Sequence, residues 1–332
     1  MVEVAREHGR IVQAGTQCRS NPGLCEAVEF VRSGQLGKIE LARGLCYRDR
    51  RSSGKASGPL PIPPGVDFDL WCGPAPLEPV RRRRLHYDWH WVWSTGNGDL
   101  GNQGIHQMDI CRMALGEDGL ARRVRSLGGR FGYDDDGNTP NTQVILLDYE
   151  RAPVVFEVRG LPRDKRAQEA SWNGNGMDRF QGARIGVVVH CAEGHLLVPS
   201  YDSAIAYDRD GVEVQRWKGS SNHYAHFVDL VRSRRREDQR AGIEQGHVSS
   251  AMCHLGNVSH RMGSRVGVAA VDRSTEGTGA ATAWSRMQQH LDANGVDLER
   301  THVTLGPWLA FDLKSARKGR VSRRLLDVRP FG

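Results

Sequence analysis

Between Arg122 and Trp217 the chain repeats one pattern: a short run of aliphatic and β-branched residues, then a turn. The runs span 122–132, 142–149, 153–160, 184–191, 195–199, 204–208 and 212–217. Glu193-Gly194 and Asp210-Gly211 fall between neighbouring runs, where a tight hairpin needs a residue free to take a positive φ. So many short strands in succession predict one large, mostly antiparallel sheet. A sheet of that size must bury at least one face against other elements.

Helices are expected on either side of this block. Asn21 and Pro22 read as N-cap and first residue of a helix whose Leu24, Val28 and Val31 face inward, with Gly34 just past its end. Before it, Met1–His8 reads as a helix end and Arg10–Ala14 as a short apolar strand. Helix, strand, helix at this spacing resembles the last unit of a parallel α/β sheet. Lys38–Tyr47 alternates like a half-buried strand, and 50–65, rich in Ser, Gly and Pro, reads as a loop. Further helices are expected at about 100–115, 222–234, 244–262 and 280–293. Residues 263–300 are otherwise poor in apolar side chains. The last thirty or so, with Gly306-Pro-Trp-Leu-Ala-Phe311, read as an extended segment docked by aromatics and ending in a basic tail.

Composition excludes several functions. Hydrophobic content of 39% with 26% charged residues describes a globular chain, and no run approaches the eighteen or so apolar residues that span a membrane. The N-terminus lacks the pattern of a signal peptide, so a cytoplasmic location is expected. The net charge is +7, yet only six of the 46 basic residues are lysine. An arginine bias along the whole chain points to codon composition rather than to a nucleic-acid surface. The runs Arg81–Arg84 and Arg234–Arg236 could bind phosphates. No nucleic-acid-binding motif accompanies them, and no nucleic-acid partner is expected. The seven cysteines are never closer than seven residues, which excludes Cys-x-x-Cys redox and zinc motifs and points to reduced thiols.

The chemistry concentrates in Gly96–Asp109. As a pattern, Gly96-x-Gly98-x-x-Gly101 opening a helix is the skeleton of a dinucleotide-binding loop. A true loop of that kind follows an apolar parallel strand and precedes a ribose-binding acid. Here His90-Trp-Val-Trp-Ser-Thr95 precedes it, and Glu117 and Asp118 lie at a helix end. The alternative is a glycine-rich turn feeding a helix with Asn102, His106 and Asp109 at i, i+4 and i+7 on one face. An imidazole flanked by an amide and a carboxylate can exchange protons near neutral pH, although a capped helix with a satisfied polar stripe has the same spacing. His86 and His90 with His106 could form a metal site, but no acidic ligand cluster accompanies them and no metal is expected.

Gly98-Asp-Leu-Gly-Asn102-Gln-Gly104-Ile-His106-Gln-Met-Asp109 resembles the active-site signature of the glucose–fructose oxidoreductase/inositol dehydrogenase/MocA (Gfo/Idh/MocA) family. Gly15–Pro22, Gly37-Lys-Ile39, Asp69–Pro76, His86–Trp91, Asn257–Gly263 and Gly306–Asp312 are similar to segments of one branch of it. The resemblance runs continuously over about 1–263 and patchily beyond. It implies a two-domain NAD- or NADP-dependent oxidoreductase of sugars or polyols, with a Rossmann domain before an open antiparallel sheet domain that shapes the substrate pocket and often the oligomer interface. The fold expected here is α+β. Residues 1–35 would be the remnant of a Rossmann α/β domain. Residues 36–263 would be a large, mostly antiparallel open sheet domain flanked by helices, and 264–332 a partly irregular extension and tail.

By this resemblance His106 would be the general acid/base or its close partner, with Asn102 and Asp109 beside it. Asn102 stands where the family has an aspartate, and an amide orients a hydroxyl without shuttling protons. Gln17 and Arg19 would lie near the nicotinamide, and His86, Tyr87, Trp89 and His90 would line the sugar site. The family's phosphate loop, ribose acid and Glu-Lys-Pro lysine would all precede Met1. The expectation is therefore a truncated chain that binds NAD or NADP weakly or not at all and is inactive or severely impaired. Alternatives are a non-enzymatic carbohydrate-binding or oligomerisation module, and part of an NAD-dependent glycoside-cleaving enzyme. A homo-oligomer formed through the open sheet is expected.

Overall fold

The computed structural model describes residues 1–170, 175–220 and 222–310. Phe311, Asp312 and the basic tail that the sequence places after them lie outside the described residues. In chain order the helices and strands begin α1 (Val2–Glu7), α2 (Pro22–Arg32), β1 (Ile39–Tyr47), α3 (Phe68–Cys72), α4 (Leu85–Asp88), α5 (Gly98–Asn102) and α6 (Gly104–Leu115). The sheet-forming block follows: β2 (Arg123–Gly129), β3 (Thr142–Asp148), β4 (Val154–Arg159), α7 (Lys165–Ala170), β5 (Ile185–Cys191), β6 (Gly194–Ser200), β7 (Ser203–Asp208) and β8 (Glu213–Lys218). The chain continues through α8 (His223–Ser233), α9 (Ile243–Arg261), β9 (Ser264–Val266), α10 (Val268–Thr275), α11 (Ala281–Ala293), β10 (Val303–Leu305) and β11 (Leu309–Ala310).

The eleven strands of the described residues form one sheet, ordered β8-β7-β6-β5-β1-β4-β3-β2-β10-β9, with β11 also paired to β2. Every pairing is antiparallel except β1 with β4. The seven strands expected between 122 and 217 all form. A parallel pair needs a long crossover, and here the β1–β4 connection carries α5 and α6. Gly104, at the head of α6, makes this approach possible: a Cβ there would sit 3.1 Å from the Phe156 ring on β4.

Each face of the sheet has its own core. On one side Leu24, Val28 and Val31 of α2, Met108, Cys111 and Leu115 of α6, and Met252 of α9 pack against Val154, Phe156, Val187, Val189 and Trp217. Asn21 caps α2 by accepting from the Leu24 amide at 3.2 Å. Residues 22–32 are therefore built into the core of the sheet rather than standing apart from it. On the other side Val271, Trp284, Met287 and Leu291 cover Leu127, Val144, Leu146 and Val155.

Two expectations are corrected. Residues 264–310, expected as a partly irregular extension with a helix at 280–293, are more regular than that: the helix forms as α11, and further elements join it. They supply β9, β10 and β11 at the β2 edge of the sheet and the two helices of the second core. Their few apolar residues at 284, 287 and 291 lie on one helical face, so a low average content still makes a core helix. Arg10–Ala14 is not a strand: Gln13 makes an isolated bridge to Gly242, and Val12 and Ala14 are tied to the loop before α9. Among the described residues no helix is long and apolar enough to cross a membrane.

Candidate functional site

The glycines of 96–101 are spent on internal packing. A Cβ on Gly96 would meet the backbone of Trp89 and His90 at 2.5–2.7 Å, and one on Gly101 would meet Asn97 at 2.7 Å. Gly98 takes φ +65 to open α5, a helix of only five residues, with Thr139 3.2 Å from its would-be Cβ. No open cradle for a pyrophosphate is present in this turn. The helix expected over 100–115 is two segments, because the hydrogen-bond ladder breaks at Gln103. That residue keeps right-handed φ −80 and ψ −37, so the chain direction is retained.

Two arginines after β1 meet this elbow. Arg48 and Arg50 hydrogen-bond through their amides to the Arg159 and Gly160 carbonyls at 3.0 and 2.8 Å. In an extended segment residues two apart face the same way, and on a helix residues four apart do so at similar spacing. Arg50 accordingly grips Asp99 through two bonds of 2.8 and 2.7 Å, while Arg48 donates to the Gln103 side-chain oxygen at 2.9 Å.

Gln103 passes this order on. Its amide nitrogen donates to the Tyr201 hydroxyl in the β6–β7 turn, and Gln107 donates to the same oxygen at 3.1 Å. The Tyr201 ring lies 5.5 Å from the His106 ring, tilted by 51°. Burial lowers the His106 pKa below its ordinary 6.5, with Asp109 opposing. Burial raises the Tyr201 pKa above 10, with the two glutamines opposing. At neutral pH the site thus presents a neutral imidazole beside a neutral phenol.

Asp109, expected beside His106, is a buried anchor. It is 1% exposed, and its carboxylate is held by Arg19 at 2.9–3.0 Å and by Ser249 at 2.7 Å. Arg19, expected near a cofactor, is thereby committed to Asp109, an ion pair that anchors the short turn Gln17–Ser20 against α6. Gln17 lies half-buried in the same turn. Asn102 is half-buried at the end of α5, one turn before His106.

The aromatic loop is divided. His86 is exposed, and Tyr87, 40% exposed, accepts from Arg50 at 2.5 Å. Trp89 stacks on His90 with ring centroids 3.8 Å apart, and His90 is buried with a ring nitrogen bonded to the Tyr87 carbonyl. His86 and Tyr87 face outward, whereas His90 fixes the loop from inside. Among the described residues no group of three or more His, Cys, Asp or Glu is placed to hold a metal.

Sequence reasoning singled out His106 but missed Tyr201, Gln103, Gln107 and Arg48. The two glutamines, at 103 and 107, flank His106 one helical turn apart, a signal present in the sequence. Nothing local could attach Tyr201 to them from 98 residues away. Among the described residues the cluster around His106 brings together an imidazole, a phenol and two amides.

Residues 35–125 match the oxidoreductase family, C-terminal alpha/beta domain, of the Gfo/Idh/MocA group. Among solved structures, the chain is similar to a protein from Desulfitobacterium hafniense designated an NADPH-dependent oxidoreductase, at 14% identity and TM-score 0.52, covering 78% of this chain and 65% of that one. It is also similar to an oxidoreductase from Thermotoga maritima (12%, TM-score 0.48, 77% and 62% covered). A third likeness is to the WlbA dehydrogenase of Bordetella pertussis, solved with NADH and UDP-GlcNAcA (15%, TM-score 0.47, 78% and 64% covered). The chain spans less than two thirds of the length of each of these. No curated protein sequence matches it. At such identities the likeness shows the fold.

Proposed function

The chain carries the C-terminal domain of the Gfo/Idh/MocA oxidoreductase family, and on that premise we propose that it forms the substrate-facing part of an NAD(P)-dependent oxidoreductase of sugars or polyols. The observation that carries this reading is the cluster of His106, Tyr201, Gln103 and Gln107. The phenol oxygen of Tyr201 accepts from both glutamines, which leaves its own O–H to donate to a ligand oxygen. The neutral imidazole of His106 beside it can accept a proton from a substrate hydroxyl. Asn102 orients that hydroxyl without exchanging protons. A bound nicotinamide would supply the hydride chemistry; the residues here hold the alcohol oxygen and move its proton.

The test is calorimetric titration with neutral sugars and polyols. Tyr201→Phe removes one donor worth about 0.5–1.5 kcal/mol, up to roughly tenfold in affinity. His106→Ala is expected to weaken binding as well. Titration of the His106 ring by NMR is expected below 6.5. Binding indifferent to both substitutions would sink the proposal. A second reading, a carbohydrate-binding module without redox chemistry, is favoured by Asn102 and by the commitment of Arg19 to Asp109. Saturable sugar binding with no cofactor effect would select it. We also propose self-association through the sheet face bearing the stacked His195–Tyr207 pair, which sedimentation would test.

A further inference from the structure

Five arginines are buried among the described residues: Arg43, Arg50, Arg82, Arg112 and Arg159. Arg43 pairs with Glu157, Arg50 with Asp99 and Arg159 with Asp178. Arg112 donates to Ser249, Gln245 and the Glu117 carbonyl. Arg82 is the exception. It is 7% exposed, its Nε and one terminal nitrogen are buried without a hydrogen-bond partner, and it makes no ion pair among the described residues. Its contact is the Trp71 ring of α3, whose centroid lies 5.2 Å from the guanidinium carbon.

The position follows from the local chain. Val80 is buried and bonded through its carbonyl to the Leu60 amide at 2.7 Å. Arg82, two residues on, is buried as well. Arg81 and Arg83 are exposed and Arg84 pairs with Asp88 at 2.7 Å. A guanidinium removed from water without a hydrogen-bond acceptor is destabilising, and burial holds the Arg82 pKa below the ordinary arginine value, with Cys72, Asp88 and Glu78 opposing from farther away. Arg43, Arg112 and Arg159 each leave one buried nitrogen unbonded but are held through the others, whereas Arg82 has neither a hydrogen bond nor an ion pair among the described residues, and an unpaired buried cation calls for an anion.

We infer that Arg82 anchors a binding site for an oxyanion group, a phosphate or a carboxylate, carried by an acidic sugar. The planar fork of a guanidinium matches both groups in two parallel hydrogen bonds. Arg81 and Arg83, exposed on either side of it in the chain, add positive potential to this stretch. Trp71 is half-exposed and stacks on Phe68 at 5.7 Å, giving an apolar face for the C–H surface of a sugar ring. The sugar part of this inference rests on the proposed function; the anion part stands on Arg82 alone.

The experiment is thermal unfolding and calorimetry of the full chain at constant ionic strength, with inorganic phosphate, a hexose phosphate, glucuronate and glucose as probes. The expected result is saturable stabilisation by the two acidic sugars and by phosphate. In Arg82→Met, which keeps the stem and removes the charge, affinity for them falls at least about tenfold and the ligand-free protein unfolds at a higher temperature. Arg82→Gln serves if the methionine variant fails to fold. Absence of saturable anion binding by the wild type, or its persistence in both variants, overturns the site. Binding of phosphate alone would mean an adventitious ion only and overturns the acidic-sugar assignment. Glucose binding that Arg82→Met leaves unchanged, with no anion effect, would overturn this site while leaving the proposed function standing.

Discussion

Asp109 and Glu157 are both 1% exposed, on opposite sides of the same sheet, and each is surrounded by arginines. Asp109 sits on the α6 side, bonded to Arg19 and Ser249, with Arg112 at 3.8 Å. Glu157 sits on the α11 side, where Arg43 at 2.5 Å, Arg286 and the Tyr47 hydroxyl at 2.6 Å all donate to it, with Arg159 at 3.7 Å. The first ties together the turn and the helix that border His106. The second ties β1 and β4 to α11, away from that site. Similar electrostatics therefore serve two ends: one carboxylate orders the site and the other holds a layer in place. Their environments also differ, because Arg19 is 13% exposed and can reach water while Arg43 is 3% exposed.

The largest effect is expected at Glu157. Glu157→Gln leaves buried arginines uncompensated and should cost about 3–5 kcal/mol in denaturant unfolding. A loss under about 1 kcal/mol would break the comparison. Asp109→Asn should cost less, about 1.5–3 kcal/mol, because Arg19 can turn to solvent. Unlike Glu157→Gln, it should also weaken sugar binding by the folded protein, since the Gln17–Ser20 turn is released beside α6.

Acid sharpens the contrast. Burial alone would raise the Glu157 pKa, but Arg43, Arg286 and Arg159 outweigh it and hold the carboxyl below its ordinary 4.5. Its stabilisation is therefore present above the unfolded-state value and lost as pH falls through the lower folded-state value. The stability gap between wild type and Glu157→Gln should be full near neutrality and close at strongly acid pH. A gap independent of pH would contradict the ion-pair account. The smallest stability effect belongs to Tyr201→Phe, under about 1 kcal/mol because the residue is 38% exposed and a single hydrogen bond is at stake. Its effect should appear in ligand affinity instead.

Much of the fold was legible because its signals are local. Asn21 and Pro22 mark a helix start that the structure keeps, and the alternation in 184–191 and 204–208 matches β5 and β7 closely. The Arg10–Ala14 segment misled, because an apolar run becomes a strand only where a neighbour offers a ladder. Residues 264–310 showed only the helix at 280–293 in advance; α10 and the strands β9, β10 and β11 are too short to set a periodic pattern of their own. At the site, His106 stood out by its motif, whereas Arg48 and Tyr201 gave no local sign of converging on Gln103.

Period-two and period-three-to-four patterns record which side of a segment meets the core, so the sequence alone determined β1 to β8, most helices and the helix carrying His106. It did not determine which strands pair. The parallel contact of β1 with β4, the edge strands β9 and β10, and the bond from Gln103 to Tyr201 depend on segments remote in the chain. Only the closed sheet brings them within hydrogen-bond reach. The tertiary structure alone likewise decided that Asp99 and Asp109 are buried anchors and that Arg82 is buried without a partner, because burial and pairing are properties of the packed whole.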